Sequence, residues 1–326
     1  MPINLAFFGL ACEPFTPSPD PRFLFRSPGH DDALAQLLYG VTERKGFVLL
    51  TGDIGTGKTT LLHALMQQLG DHTAVALVTH STLPFEGIVE CILDGFGITK
   101  VGQSLAQQLL GLQTFLMERY RAGQNAVVIL DEAQNLTPET LERIRLLSNF
   151  ETASEKILQI VLAGQPELAV KLERPELRQF HQRIALRCRT PPLKDAETRD
   201  YIKTRLWVAG ATDPSIFSDE AVRRIARAAR GIPRMINNIC DHCLVIGYAD
   251  QVRRIDQKIA DEAIRHFSQP AGRRQARTRR VVPRRALMWV SGAGVVVAVA
   301  AFTSLHLGLA QALMGLASSM RELVIR

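Results

Sequence analysis

The chain has 326 residues, 46% of them hydrophobic and 22% charged, enough for two compact domains and too apolar for bulk disorder. Five cysteines and no leader pattern at Met1 argue against a disulfide-built secreted fold. The net charge of +7 is lopsided: residues 268–326 hold nine arginines and one glutamate, which leaves 30 bases against 31 acids elsewhere, so the basic excess is no sign of a DNA-binding face on the body.

Residues 1–30 carry Pro14, Pro17, Pro19, Pro21 and Pro28 among several phenylalanines. Prolines at that density prevent a long helix, so this stretch reads as an extended arm docked by its aromatic rings. Residues 31–40 form a short amphipathic helix closed by Gly40. Apolar runs at Phe47–Leu50, Ala74–Val78, Ala126–Leu130 and Ile157–Ala163 are predicted as buried parallel strands. Helices are predicted between them at Thr59–Leu69 and Pro138–Asn149, the second with Thr137 as its N-cap and Pro138 in its first turn. Alternating strands and helices over residues 31–192 give an α/β domain with a parallel sheet flanked by helices.

Strand signals stop after the Pro191-Pro192 pair. Helices are predicted at Asp195–Leu206, Asp219–Arg230, Pro233–Tyr248 and Asp256–Phe267, a small all-α domain over residues 193–267. An arginine-rich linker follows at 268–285, with seven arginines between 273 and 285. Residues 286–320 then contain no Asp, Glu, Lys or Arg. About 20 apolar residues cross a bilayer core, so a single C-terminal membrane helix is predicted at 286–310, ahead of a short tail at 311–326. The arginines place the preceding domains on the cytoplasmic side by the positive-inside rule, against anionic lipid headgroups.

Residues Gly52-Asp53-Ile54-Gly55-Thr56-Gly57-Lys58-Thr59 match G-x-x-x-x-G-K-[ST] between a strand and a helix. That pattern defines a P-loop NTPase fold: glycines let backbone N–H groups surround a polyphosphate at a helix N-terminus. Lys58 is expected on the β- and γ-phosphates of ATP, the Thr59 hydroxyl on Mg2+, and Thr60 completes the cofactor-binding run. The strand Ala126–Leu130 ends in Asp131 and Glu132 on the same sheet edge. Asp131 suits the metal and Glu132 suits a general base that polarises the attacking water. Cys240 and Cys243 are one C-x-x-C without a second pair, and at i, i+3 on a helix they read as core packing rather than zinc ligands.

Together these motifs resemble the membrane-anchored AAA+ ATPases of the ExeA/GspA type, the general secretion pathway protein A group. The resemblance runs from Phe7 to about His266. It rests on Phe7-Phe8-Gly9-Leu10, Glu13-Pro14-Phe15, Pro19-Asp20-Pro21-Arg22-Phe23-Leu24, His30, the phosphate loop, Asp131-Glu132-Ala133-Gln134, Leu162-Ala163-Gly164-Gln165-Pro166-Glu167-Leu168 and Gly231-Ile232-Pro233-Arg234. It implies that Gln165 is the sensor-1 group near the γ-phosphate and that Arg234 is a sensor-2 arginine on ATP from the helical lid; His30 is expected near the adenine from its place in the N-terminal arm alone. It also implies an arginine finger offered to a neighbouring subunit, Arg183 being preferred over Arg178, ahead of a strand at Ile184–Leu186. The implied assembly is a ring, with a hexamer as one option, at the bacterial inner membrane. Its implied partners are a GspB/ExeB-like membrane protein and the outer-membrane secretin, or else exopolysaccharide or pilus machinery. Such proteins continue past the membrane into a peptidoglycan-binding domain, which residues 311–326 do not contain. A second resemblance, weaker, is to DNA-binding ATPases that select transposition targets; the near-neutral body speaks against it.

Overall fold

Five runs of branched and aliphatic residues pair into one fully parallel sheet. They are β1 (Phe47–Thr51), β2 (Thr73–Val78), β3 (Asn125–Leu130), β4 (Gln159–Gly164) and β5 (Ile184–Arg189), in the order β2-β3-β4-β1-β5. The computed structural model describes residues 5–16, 21–99, 102, 104–152 and 155–268. Leu50 lies opposite Ala163 and Leu130 opposite Leu162, so the carboxyl ends of β1, β3 and β4 share one edge. The fourth strand begins at Gln159, two residues later than Ile157. The Gln159 side chain takes the Gly46 N–H at 2.8 Å and returns an N–H to the Lys156 carbonyl at 2.9 Å, which turns the chain just before the ladder starts.

Side-chain alternation sorts the strands onto two faces. Phe47 and Leu49, with Val128, Leu130, Ile160 and Leu162, pack under α3 (Phe85–Gly95), α4 (Leu105–Arg121), α5 (Pro138–Leu147), α6 (Pro166–Leu172) and α7 (Arg178–His181). Val48 and Leu50, with Val127, Ile129 and Val161, face α1 (Pro28–Thr42) and α2 (Lys58–Leu69). The first of these helices starts three residues before the expected Asp31, because Ser27 caps the His30 N–H and Pro28 fits the first turn.

Four further helices, α8 (Asp195–Val208), α9 (Asp219–Ala229), α10 (Pro233–Ala249) and α11 (Gln257–Ser268), form a separate core. The arm belongs to that core: Phe8, Leu10, Phe15 and Phe23 are buried in it. Phe7 meets Tyr248 edge-on, Phe15 meets Phe217, and Phe25 meets Tyr201. Among the described residues no helix is long and apolar enough to cross a membrane; the span expected at 286–310 and its arginine-rich leader lie outside them.

Candidate functional site

The loop between β1 and α2 is shaped by its glycines. Gly55 and Gly57 adopt φ of +81° and +97°, the left-handed region where only glycine is unstrained. At Gly52 the limit is space: a Cβ would come within 1.9 Å of the Thr190 hydroxyl, which itself bonds the Thr56 hydroxyl at 2.9 Å. The first turn of α2 has no side-chain cap, so its N–H groups remain available to an anion.

Lys58 is 6% exposed, and its Nζ donates to the carbonyls of Gly52 at 2.9 Å and Asp53 at 3.1 Å. Burial pulls its pKa below the ordinary lysine value, against the opposing pull of Glu132, Asp131, Asp53 and Glu167. A buried ammonium whose hydrogen bonds go only to neutral carbonyls is a ready anion site: a phosphate can take it over in direct contact. The Thr59 hydroxyl donates to Asp131 Oδ2 at 2.8 Å, and Asp131 Oδ1 accepts the Glu132 N–H at 2.8 Å. Glu132 stands at φ +52°, with its carbonyl held by the Ser81 hydroxyl at 2.8 Å. One hydroxyl and one carboxylate are hard oxygen donors for Mg2+, an ion that keeps waters and borrows phosphate oxygens rather than needing an all-protein cage.

The loop opens into a pocket of about 280 Å³. Residues 54–60 and Glu132 line it together with Phe23, Leu24, Phe25, Tyr201, Arg205 and Asn237. Arg234 flanks the opening from the second residue of α10, where its N–H bonds the Gly55 carbonyl at 3.2 Å. His30 also lines the pocket, and its Nε2 meets the Thr56 carbonyl at 2.8 Å, so it braces the phosphate loop. Gln165 caps α6 beside the end of β4, and its N–H donates to Gln134 Oε1 at 3.1 Å.

The structure therefore gathers Lys58, Thr59, Thr60, Glu132 and Arg234 around one pocket, with Asp131 joined to it through Thr59 and Gln165 through Gln134. Arg178 and Arg183 are elsewhere. Arg183 precedes β5 at the opposite edge of the sheet, about 20 Å away by strand rise. Its guanidinium bonds Ser148 Oγ at 2.5 Å and Asn149 Oδ1 at 2.8 Å at the end of α5. Arg178 is exposed at the start of α7. Burial pushes the Cys243 thiol up to about 12 and that of Cys240 well above its ordinary value; both pack in the helical core as protonated thiols. Sequence reasoning missed Arg205, Tyr201, Asn237 and the bridging role of Gln134. Of these only Gln134 had a visible signal, its place two residues after Glu132.

A P-loop on β1, an acidic pair at the end of β3 and a strand β4 inserted between them define an ATP-hydrolysing enzyme of the AAA class. Residues 41–172 match the family described as AAA domain. The chain is 43% identical over 244 residues to general secretion pathway protein A of Aeromonas hydrophila, covering 74% of this chain and 44% of that protein. It is an AAA+ ATPase of the general secretion pathway protein A family, and it spans less than half the length of that relative. Solved structures share the fold at low identity. The Drosophila ORC bound to DNA aligns at TM-score 0.62 and 18% identity, over 79% of this chain and 65% of that one. Cdc6p from Pyrobaculum aerophilum aligns at TM-score 0.58 and 21% identity, over 78% and 68%.

Proposed function

We propose that this chain is a membrane-tethered ATPase switch that drives or regulates assembly of an envelope export system. The observation that carries the reading is the buried Lys58 ammonium beside the Thr59–Asp131 pair, with Glu132 lining the same pocket. Lys58 and the loop N–H groups bind the β- and γ-phosphates of ATP. Thr59 and Asp131 hold Mg2+, which supplies charge neutralisation on the phosphates when bound. Glu132 orients a water and takes its proton. Gln165 reports the γ-phosphate at the end of β4, and Arg234 couples the phosphates to α10 and the helical lid. The arm and α8 help to wall the pocket, so its occupancy bears directly on how the arm is held.

Tethering rests on the uncharged run at 286–320 with its arginine leader. Type II secretion is the leading system because the A. hydrophila relative is named for the general secretion pathway; exopolysaccharide and pilus assembly are the alternatives. A GspB/ExeB-like membrane protein is the partner that this reading names. Completion of the site by a neighbour's arginine makes activity dependent on self-assembly into a ring.

The test uses the full chain in lipid nanodiscs. Lys58→Ala is expected to abolish ATP binding, and Glu132→Gln to bind ATP while losing at least about 100-fold in turnover. Normal hydrolysis by Glu132→Gln overturns the assignment of the base. Recovery of the full chain in the soluble fraction of a cell lysate overturns the tether, and tight salt-sensitive duplex DNA binding by the body would favour the transposition-type reading.

A further inference from the structure

Two groups of the site that follow the ends of different strands are joined by one side chain. Gln134 Nε2 donates to Glu132 Oε2 at 2.5 Å, and Gln134 Oε1 accepts the Gln165 N–H at 3.1 Å. The backbone donor fixes which way the amide points: its oxygen must face an N–H, so its NH2 must face the carboxylate. Glu132 Oε1 has no hydrogen-bond partner among the described residues, and Glu132 lines the pocket. One oxygen is thus anchored and the other is left without a protein partner, on a residue that lines the pocket.

The turn that carries Gln134 is itself immobilised. Lys171 of α6 donates to the carbonyls of both Gln134 and Leu136, the latter at 2.8 Å. Gly164 leaves the room that the amide needs, since a Cβ there would sit 2.7 Å from Gln134 Oε1. The end of β4, the start of α6 and the turn after β3 therefore close on this one amide.

We propose that Gln134 is a positioning residue for hydrolysis, holding the Glu132 carboxylate in register with the end of β4 and passing displacement at Gln165 to the base. The proposal rests on the reading of Glu132 as the base. A carboxylate on a flexible stem that must align a water loses rate when it samples other rotamers. A donor on one oxygen restrains it without consuming the other.

The experiment measures ATP affinity, single-turnover and steady-state hydrolysis of the full chain in nanodiscs, for Gln134→Ala, Gln134→Met, Gln134→Glu, Glu132→Gln and the Glu132→Gln/Gln134→Ala double variant. Gln134→Ala and the volume-matched Gln134→Met are each expected to lower kcat about 10- to 100-fold while ATP affinity stays within about twofold. On the Glu132→Gln background, Gln134→Ala is expected to cost nothing further, because its effect passes through that carboxylate. Gln134→Glu places a second carboxylate against the first and is expected to move the acid limb of the kcat–pH profile upward. The proposal falls if both Gln134→Ala and Gln134→Met keep or raise kcat, or if the alanine change costs as much with Glu132→Gln as without it. Wild-type turnover by Glu132→Gln sinks the base assignment instead, a result distinguishable from either.

Discussion

His30 Nε2 lies 2.8 Å from the carbonyl oxygen of Thr56, and Nδ1 lies 2.7 Å from the Ser27 hydroxyl. A carbonyl can only accept, so Nε2 carries the proton and Nδ1 accepts from Ser27. The first turn of α1 thereby holds the phosphate loop in shape from behind. His30→Ala leaves a buried carbonyl without its donor, a loss of about 1–3 kcal/mol. Nucleotide affinity is expected to fall roughly tenfold or more on the same account, with Ser27→Ala milder. Calorimetric titration with a non-hydrolysable ATP analogue measures both, and unchanged affinity in His30→Ala would remove the bracing role.

Lys58 carries a pH signature. Burial lowers its folded-state pKa below the ordinary 10.5. The unfolded chain therefore binds the proton more tightly, and stability without nucleotide rises with pH between the folded and unfolded values. At neutral pH the buried charge is a burden on the empty protein. Lys58→Met is expected to bind no nucleotide, to unfold no earlier than wild type, and to lose that rise on the alkaline side. Thermal unfolding across pH 7 to 10.5 checks it; a large drop in melting temperature at neutral pH would show that the ammonium stabilises the empty loop.

The parts legible in the sequence are those in which local pattern and chemistry coincide. The strand Phe47–Thr51 is apolar from Phe47 to Leu50 because both faces are covered, and the glycine spacing after it is set by the phosphate. Asp131 and Glu132 follow from the end of β3 by the same logic. The helices α3 and α4 went unassigned although Ser104 and Gln107 form a capping box, a signal in plain view. What pattern cannot show is a polar side chain whose partners are backbone groups far along the chain. Arg205 looks like any helix-surface arginine until Pro14 and Thr16 return to it across about 190 residues. Arg183 looks free until Ser148 and Asn149 fold onto it.

Arg205 is the fastener of the arm. It is 6% exposed, its Nε bonds the Pro14 carbonyl at 2.5 Å, its Nη1 bonds Tyr201 Oη at 2.9 Å, and its guanidinium stacks 4.5 Å from the Phe23 ring centre. Arg205→Ala removes the donor to a buried carbonyl together with the stacking, a loss of about 2–4 kcal/mol. The arm is expected to become the first site of proteolytic cleavage, near residues 14–25. Because Phe23, Leu24 and Phe25 line the pocket, ATP should partly restore protection. An arm that stays as resistant as in wild type would mean that its aromatic contacts alone hold it.

The two arginines ahead of β5 separate by what they touch. Arg183 was the preferred arginine finger on sequence grounds, yet its guanidinium is committed to Ser148 Oγ, Asn149 Oδ1 and the Arg145 carbonyl, which ties β5 to the end of α5 within one subunit. Arg178 is exposed, with no acid or hydrogen-bond partner for its guanidinium among the described residues. A group that must reach a neighbour's phosphate has to be uncommitted and on the surface, and Arg178 meets both conditions. Arg178→Ala is expected to leave ATP affinity and melting temperature unchanged while lowering turnover about 1,000-fold in the assembled ring. Arg183→Ala is expected to destabilise the fold by about 1–3 kcal/mol of lost bonding, and so to lower the melting temperature. Mixing Arg178→Ala with Glu132→Gln subunits should recover part of the activity at interfaces where an intact arginine meets an intact base. No recovery on mixing, with stability lost in Arg178→Ala, would return the role to Arg183 or to the subunit's own residues.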